Sequence, residues 1–144
     1  MSGLFADIGL KRNGSDALVN GGEALKGKQV ALYFSASWCG PCKQFTPVLK
    51  DFYEEAAELG VEIVFVSFDR SEGDLTKYLA ADHGEWLYIP FGSDHIQKLA
   101  AKFEVNGIPA LVVIKENGDV ITKEGRSDIS SKPPKAVVSG WKSA

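Results

Sequence analysis

The chain has 144 residues, enough to bury a substantial core in what is expected to be one domain. Its 44% hydrophobic and 24% charged residues are the proportions of an ordinary soluble globular protein, not of a disordered or fibrous one. A net charge of -3 argues against a nucleic-acid or anionic-membrane surface, and no apolar run approaches the ~18 residues of a membrane span.

In chain order, Met1 to Asp7 has neither a basic start nor a long apolar stretch, so no secretory signal is expected. Leu4, Phe5, Ile8 and Leu10 are expected to pack as a short helical or extended lead-in. Ala17-Leu18-Val19 is the one strand candidate before residue 28, among turn signals at Asn13-Gly14, Gly21-Gly22 and Gly27. Val30 to Ser35 is apolar and β-prone. A helical pattern follows from Cys42 to about Leu59, with Phe45, Val48, Leu49, Phe52, Ala56 and Leu59 at three- and four-residue steps. Pro47 inside it predicts a lost hydrogen bond and a kink, and Gly60 a C-terminal cap.

Val61 to Phe68 is almost continuously apolar, as a strand buried on both faces would be. Strand, helix, strand in this order implies a right-handed parallel crossover. A helix is expected from Asp74 to Asp82, with Leu75, Tyr78 and Leu79 inward. His83 and His95 read as surface residues without a role. Trp86 to Phe91 reads as an apolar loop or short strand, its aromatic residues serving packing. Ser93 or Asp94 caps a helix from His95 to Phe103, with Ile96, Leu99, Ala100 and Phe103 on one face. Ile108-Pro109 precedes a strand from Ala110 to Lys115, and Asn117-Gly118-Asp119 turns it back antiparallel through Val120 to Lys123. The tail from Arg126 is Ser/Lys/Pro-rich and broken at Pro133-Pro134, with Val137, Val138 and Trp141 packing back. The sum is a mixed sheet with helices on both faces.

Trp38-Cys39-Gly40-Pro41-Cys42 holds the only two cysteines, where a strand ends and a helix begins. A helix N-terminus offers free N–H groups and partial positive charge, which stabilise a thiolate. The pair reads first as a catalytic dithiol. As half of a zinc site it lacks partners: there is no further cysteine, and His83 and His95 are too far apart for the usual spacing, so no metal is expected. As a static staple it closes too short a loop to remove much chain entropy. Inert buried thiols fit badly beside the turn-forming Gly40 and Pro41. A Cys-x-x-Cys pair without a signal points to a reducing compartment, with the cytoplasm expected and the nucleus as a second location.

These motifs together resemble the thioredoxin superfamily. Tyr33 to Cys39, Val66-Ser67-Phe68-Asp69, Trp86 to Phe91 and Gly118 to Thr122 resemble its tryparedoxin and nucleoredoxin branch, from about Leu25 to Arg126. The resemblance implies a thioredoxin-like three-layer α/β/α sandwich with a central mixed sheet and a cis-proline loop at Pro109. It implies a thiol-disulfide oxidoreductase without a bound cofactor, with Cys39 as nucleophile and Cys42 as resolving thiol. Protein disulfides or peroxidases would be its substrates, and an external thiol its donor. Thioredoxins usually carry Asp six residues before the first cysteine; this chain has Tyr33, as tryparedoxins do. Tryparedoxins typically read Trp-Cys-Pro-Pro-Cys, and Gly40 departs from that. Glutathione, a low-molecular-weight dithiol or a thioredoxin reductase system therefore all stay open as donors.

By the same resemblance Trp38 forms an exposed rim, and the Ile108 backbone pairs with substrate main chain beside Pro109. Gly40 and Pro41 tune the pair. Tyr33 reads either as a tied core phenol or as a hydroxyl near the thiols. Asp69 is either a helix cap or a proton acceptor near Cys42. Arg126 is either a solvated charge or a contact for a glutathione-type carboxylate. The main rival is a redox-dependent binding module for a signalling partner. An isomerase or oxidase, and a direct peroxidase, fit the motif less well. No stable oligomer is specified, so a monomer is expected.

Overall fold

The computed structural model describes Phe5 and residues 8–15, 17–115 and 117–143; Leu4 lies outside them. Its centre is β3 (Gln29–Ser35), buried along almost its whole length. β3 pairs parallel with β4 (Val61–Ser67), from Gln29 opposite Val61 to Ser35 opposite Ser67. On its other side it pairs antiparallel with β6 (Ala110–Ile114), which β7 (Val120–Thr122) flanks. Beyond β4 come β5 (Leu87–Tyr88), then β1 (Gly9–Arg12) and β2 (Leu18–Asn20), giving the order β2-β1-β5-β4-β3-β6-β7.

Alternation along β3 builds two cores. Ala31 and Tyr33 face α2 (Gly40–Ala56), α3 (Glu72–Asp82), α5 (Gly125–Ser131) and α6 (Pro134–Lys142). Val30, Leu32 and Phe34 face the lead-in, α1 (Gly21–Ala24) and α4 (His95–Lys102). This is the expected three-layer sandwich. α2 runs on through Pro47 without a break, so the bond that position 47 cannot make is the one to the exposed Lys43 carbonyl. A turn of 3-10 helix, Ala57–Leu59, then closes on Gly60, whose φ of 89° is the left-handed cap expected of glycine there.

Several expectations are narrowed or corrected. Of the helical and extended alternatives, the lead-in takes the extended one, and it adds a strand, β1, to the single candidate expected before residue 28. β1 exists because it is paired on both sides, and because Arg12 bonds the buried Glu62 carboxylate at 3.2 Å and the Glu85 carbonyl at 2.8 Å. Gly21-Gly22 opens α1 instead of a turn, because the Asn20 side chain accepts the Glu23 N–H. The tail, where one short last segment was expected to pack back, folds into two helices, α5 and α6, with the expected break at Pro133-Pro134 between them. Pro134 sits in the first turn of α6, where a missing N–H costs nothing. As expected, Val137, Val138 and Trp141 pack back, with the Trp141 ring 5.5 Å from Phe52 and its Nε1 donating to Asp128.

His83 is not a surface residue. It is 5% exposed and lies in an aromatic box, 4.2 Å from the Tyr78 ring, 4.3 Å from Phe65 and 5.2 Å from Trp86. Trp86 Nε1 donates to His83 Nδ1 at 3.1 Å, so the neutral ring carries its proton on Nε2. Burial pushes its pKa from 6.5 down to about 3. In the unfolded chain the imidazole takes a proton near 6.5, while in the fold it stays neutral. Its stabilisation is therefore fully present above that pH and is lost as pH falls toward about 3. His83→Gln keeps an acceptor for Trp86 and removes the titration. Its urea-unfolding stability should fall less steeply than wild type between pH 6.5 and the acid limit near 3. Parallel profiles would place the imidazole in water.

Candidate active site

The C-terminal end of β3 delivers the cysteines. After Ser35 the chain leaves the sheet, and Cys39 becomes the N-cap of α2 in extended geometry (φ −94°, ψ 110°). Its sulfur accepts the Cys42 N–H at 3.2 Å, a role that Ser or Asp often fills at helix starts. The helix thus begins at Gly40, two residues earlier than the apolar periodicity predicts, and Pro41 falls in its first turn. Nothing lies within 4 Å of where a Gly40 side chain would be, so that position opens outward.

Cys39 and Cys42 form a disulfide with Cα atoms 5.2 Å apart. The two sulfurs are not equivalent. Cys39 retains 7% exposure, while Cys42 is fully covered. Ile108–Pro109 is a cis peptide, as the resemblance implies, and the Ile108 carbonyl oxygen lies 3.8 Å from Cys39 Sγ. Trp38 is 54% exposed as a rim residue, with Nε1 donating to the Phe68 carbonyl at 3.3 Å.

Beneath the disulfide sits a buried cluster of hydroxyls. Thr46 Oγ1 donates to the Cys42 carbonyl at 2.9 Å, and Tyr33 Oη lies 3.2 Å from the same oxygen. Tyr33 Oη and Thr46 Oγ1 are 2.7 Å apart, Thr46 Oγ1 and Tyr78 Oη 2.8 Å, and Tyr78 Oη and Ser35 Oγ 2.8 Å. Tyr33 is therefore both a core phenol and a neighbour of the pair, acting on the Cys42 backbone. Burial, then the adjacent Tyr33, hold the Tyr78 phenol well above its ordinary value, so it stays protonated. Sequence reasoning found Tyr33 but missed Ser35, Thr46 and Tyr78. The one available signal for Thr46 is a hydroxyl on the inward face of a helix, four residues after Cys42.

Asp69 does not cap α3; Ser71 does, by accepting the Asp74 N–H. The Asp69 carboxylate instead accepts Ser37 N at 2.8 Å, Ser37 Oγ at 2.5 Å and Ser67 Oγ at 2.6 Å. It pins the loop that precedes Trp38. Arg126 is brought to the site by Gly125: a Cβ there would come within 2.9 Å of the Leu111 carbonyl, so only glycine lets α5 approach β6 this closely. Arg126 Nη1 then donates to the Pro109 carbonyl at 3.0 Å, and its guanidinium lies 5.6 Å over the Phe45 ring.

A sheet of this order, with a Cys-x-x-Cys disulfide at a helix start beside a cis-proline, defines a class, and comparison with known proteins agrees with it. A thioredoxin-like family model matches residues 27–120, so the chain belongs to the thioredoxin-like family. Within it, the chain falls in the nucleoredoxin and tryparedoxin branch. It is 53% identical to the solved thioredoxin of Wuchereria bancrofti, with 97% of each chain covered and a TM-score of 0.85. Tryparedoxin II of C. fasciculata is 35% identical, covering 89% of this chain and 84% of that one, with a TM-score of 0.79. Nucleoredoxin of Danio rerio is 40% identical over 113 residues, which are 76% of this chain and 27% of its own. The chain thus spans about a fifth to a quarter of the length of several nucleoredoxins it matches.

Thr46→Val keeps the shape but removes the hydroxyl that joins Tyr33, Tyr78 and the Cys42 carbonyl. Leaving buried partners unpaired should destabilise the oxidised protein by about 1–3 kcal/mol in urea unfolding. Wild-type stability in this variant would show that the hydroxyl cluster contributes nothing.

Proposed function

We propose that this chain is a thiol-disulfide oxidoreductase acting as a disulfide reductase. The observation that carries the reading is the unequal burial of two bonded cysteines at one helix N-terminus. In the reduced protein the Cys39 thiolate attacks one sulfur of a substrate disulfide. That S–S bond breaks, a mixed disulfide forms, and the departing sulfur leaves as a thiolate and takes a proton. Cys42 then gives up its proton, and its thiolate attacks Cys39 Sγ. The second substrate sulfur is released, and the Cys39–Cys42 bond forms. That second sulfur also leaves as a thiolate and takes a proton. Counted from the dithiol, the substrate gains two electrons and two protons and the pair loses them, the Cys39 proton having passed to solvent when its thiolate formed. An external dithiol, or two monothiols, restores the pair by the reverse exchange.

The remaining residues serve this step. The α2 N-terminus and the Cys42 N–H stabilise the Cys39 thiolate. The exposed Trp38, the Ile108 backbone beside Pro109, and Arg126 line the approach and bind the substrate. Asp69 holds the loop, Tyr33 holds the Cys42 turn, and Gly40 and Pro41 set the spacing and tune the pair. Protein disulfides, including those of thiol peroxidases, are the substrates this reading favours. Tryparedoxin II has been solved in complex with glutathionylspermidine. That precedent supports a small thiol as donor, with glutathione or a reductase as the other candidates. A pair that must be re-reduced works in a reducing compartment, which this reading takes to be the cytoplasm.

The test is reduction of insulin disulfides with dithiothreitol, glutathione or a thioredoxin reductase system as donor. Wild type should turn over with at least one donor. Cys39→Ser should abolish turnover, and Cys42→Ser should accumulate a mixed disulfide. Full activity in Cys39→Ser would refute the assignment of the nucleophile. A disulfide that opens and closes reversibly without turnover would indicate a redox-switched binding module instead.

A further inference from the structure

Two arginines flank the disulfide, and among the described residues neither is in an ion pair. The ion pairs found there join Glu62 to Arg12 and Lys28, at the opposite end of β4 from the cysteines. β3, which delivers Cys39, lies between β4 and β6. Arg70 follows the end of β4, and its guanidinium sits 5.4 Å over the exposed Trp38 ring, next to Cys39. Arg126 stands on the β6 side, held by the Phe45 ring and the Pro109 carbonyl. Rings and a neutral carbonyl orient these guanidinium groups without cancelling their charge.

The carboxylates nearest Arg70 keep their charge but, among the described residues, do not pair with it. Asp69 is 8% exposed and already accepts three hydrogen bonds from Ser37 and Ser67. Glu72 and Asp74 lie in the first turn of α3, the end where the helix dipole favours a carboxylate. Asp74 also shares a shallow hollow with Lys43, Lys77 and Asp82. Glu124 and Lys123 line the hollow of about 360 Å³ beside Arg126, so each arginine has carboxylates in its neighbourhood and, among the described residues, an ion pair with none of them.

We infer that Arg70 and Arg126 form a two-sided cationic clamp that selects disulfides flanked by acidic residues. The inference rests on the oxidoreductase reading and names the substrate class of that same site. A peptide whose disulfide reaches Cys39 passes between Trp38 and Ile108, so residues on either side of its cysteine come to one arginine or the other. An Asp or Glu there meets a planar donor fork already oriented by stacking. The ordering cost on the protein side is therefore small, and the contact can be bidentate.

The experiment uses three disulfide-linked peptides of equal length with acidic, neutral or basic flanks, and dithiothreitol as donor. For wild type, kcat/KM should fall in that order, by about threefold per charge, the size expected of partly exposed pairs. The spread should shrink as salt is raised from about 0.05 to about 0.5 M. Arg70→Gln should narrow the acidic-to-basic ratio, and Arg70→Glu should reverse it. Equal kcat/KM for the three peptides in wild type, or a ratio unmoved in Arg70→Glu, would overturn the clamp. Failure to reduce any of the three would overturn the oxidoreductase reading, and the clamp with it.

Discussion

Cys39 is both the end of a loop and the cap of a helix, and the rest of the site depends on its sulfur accepting the Cys42 N–H. That contact places the sulfur at the positive end of α2, next to a helix backbone that would otherwise carry unpaired donors. It also fixes the separation of the two cysteines within a single turn. The position is determined by β3, which is paired on both sides and covered on both faces, so the point where the chain leaves the sheet cannot drift.

The second support comes from below. The Cys42 carbonyl lies within hydrogen-bond reach of both Thr46 and Tyr33, and the cluster extends to Tyr78 on α3 and Ser35 on β3. Four hydroxyls from three elements thus meet beneath one turn: two from β3, one from α2 and one from α3. All four groups are neutral hydroxyls, with no carboxylate among them, so Tyr33 contributes shape and hydrogen bonding instead of charge. His83 packs against the rings of this cluster as a neutral imidazole. Its burial links acid stability to the wall behind the active site.

Much of this was legible in the sequence, and for identifiable reasons. The central strands announced themselves because strands buried on both faces need long apolar runs, as in Val61 to Ser67. The cysteine motif and Ile108-Pro109 carried their own chemistry. What stayed hidden was set by tertiary pairing. β1 has one buried apolar residue and is held by its neighbours and by the Arg12–Glu62 contact. The Ser/Lys/Pro-rich tail announced one segment packing back through Val137, Val138 and Trp141, but not the helix that Ile129 docks before it. His83 read as a surface residue because its partners, Phe65, Tyr78 and Trp86, are brought together only by the fold. The roles of Thr46, Tyr78 and Asp69 depend on distances across elements, which no spacing along the chain encodes.

The central claim is that the helix start makes Cys39 the more acidic and more reactive thiol of the reduced pair. The most direct measurement is the pH dependence of iodoacetamide alkylation of the reduced protein, with each cysteine resolved by mass spectrometry. The account predicts that Cys39 is modified first, with a midpoint below the ~8.5 of a free thiol, and that Cys42 reacts slowly throughout. Equal rates at both cysteines, with midpoints near ~8.5, would contradict it.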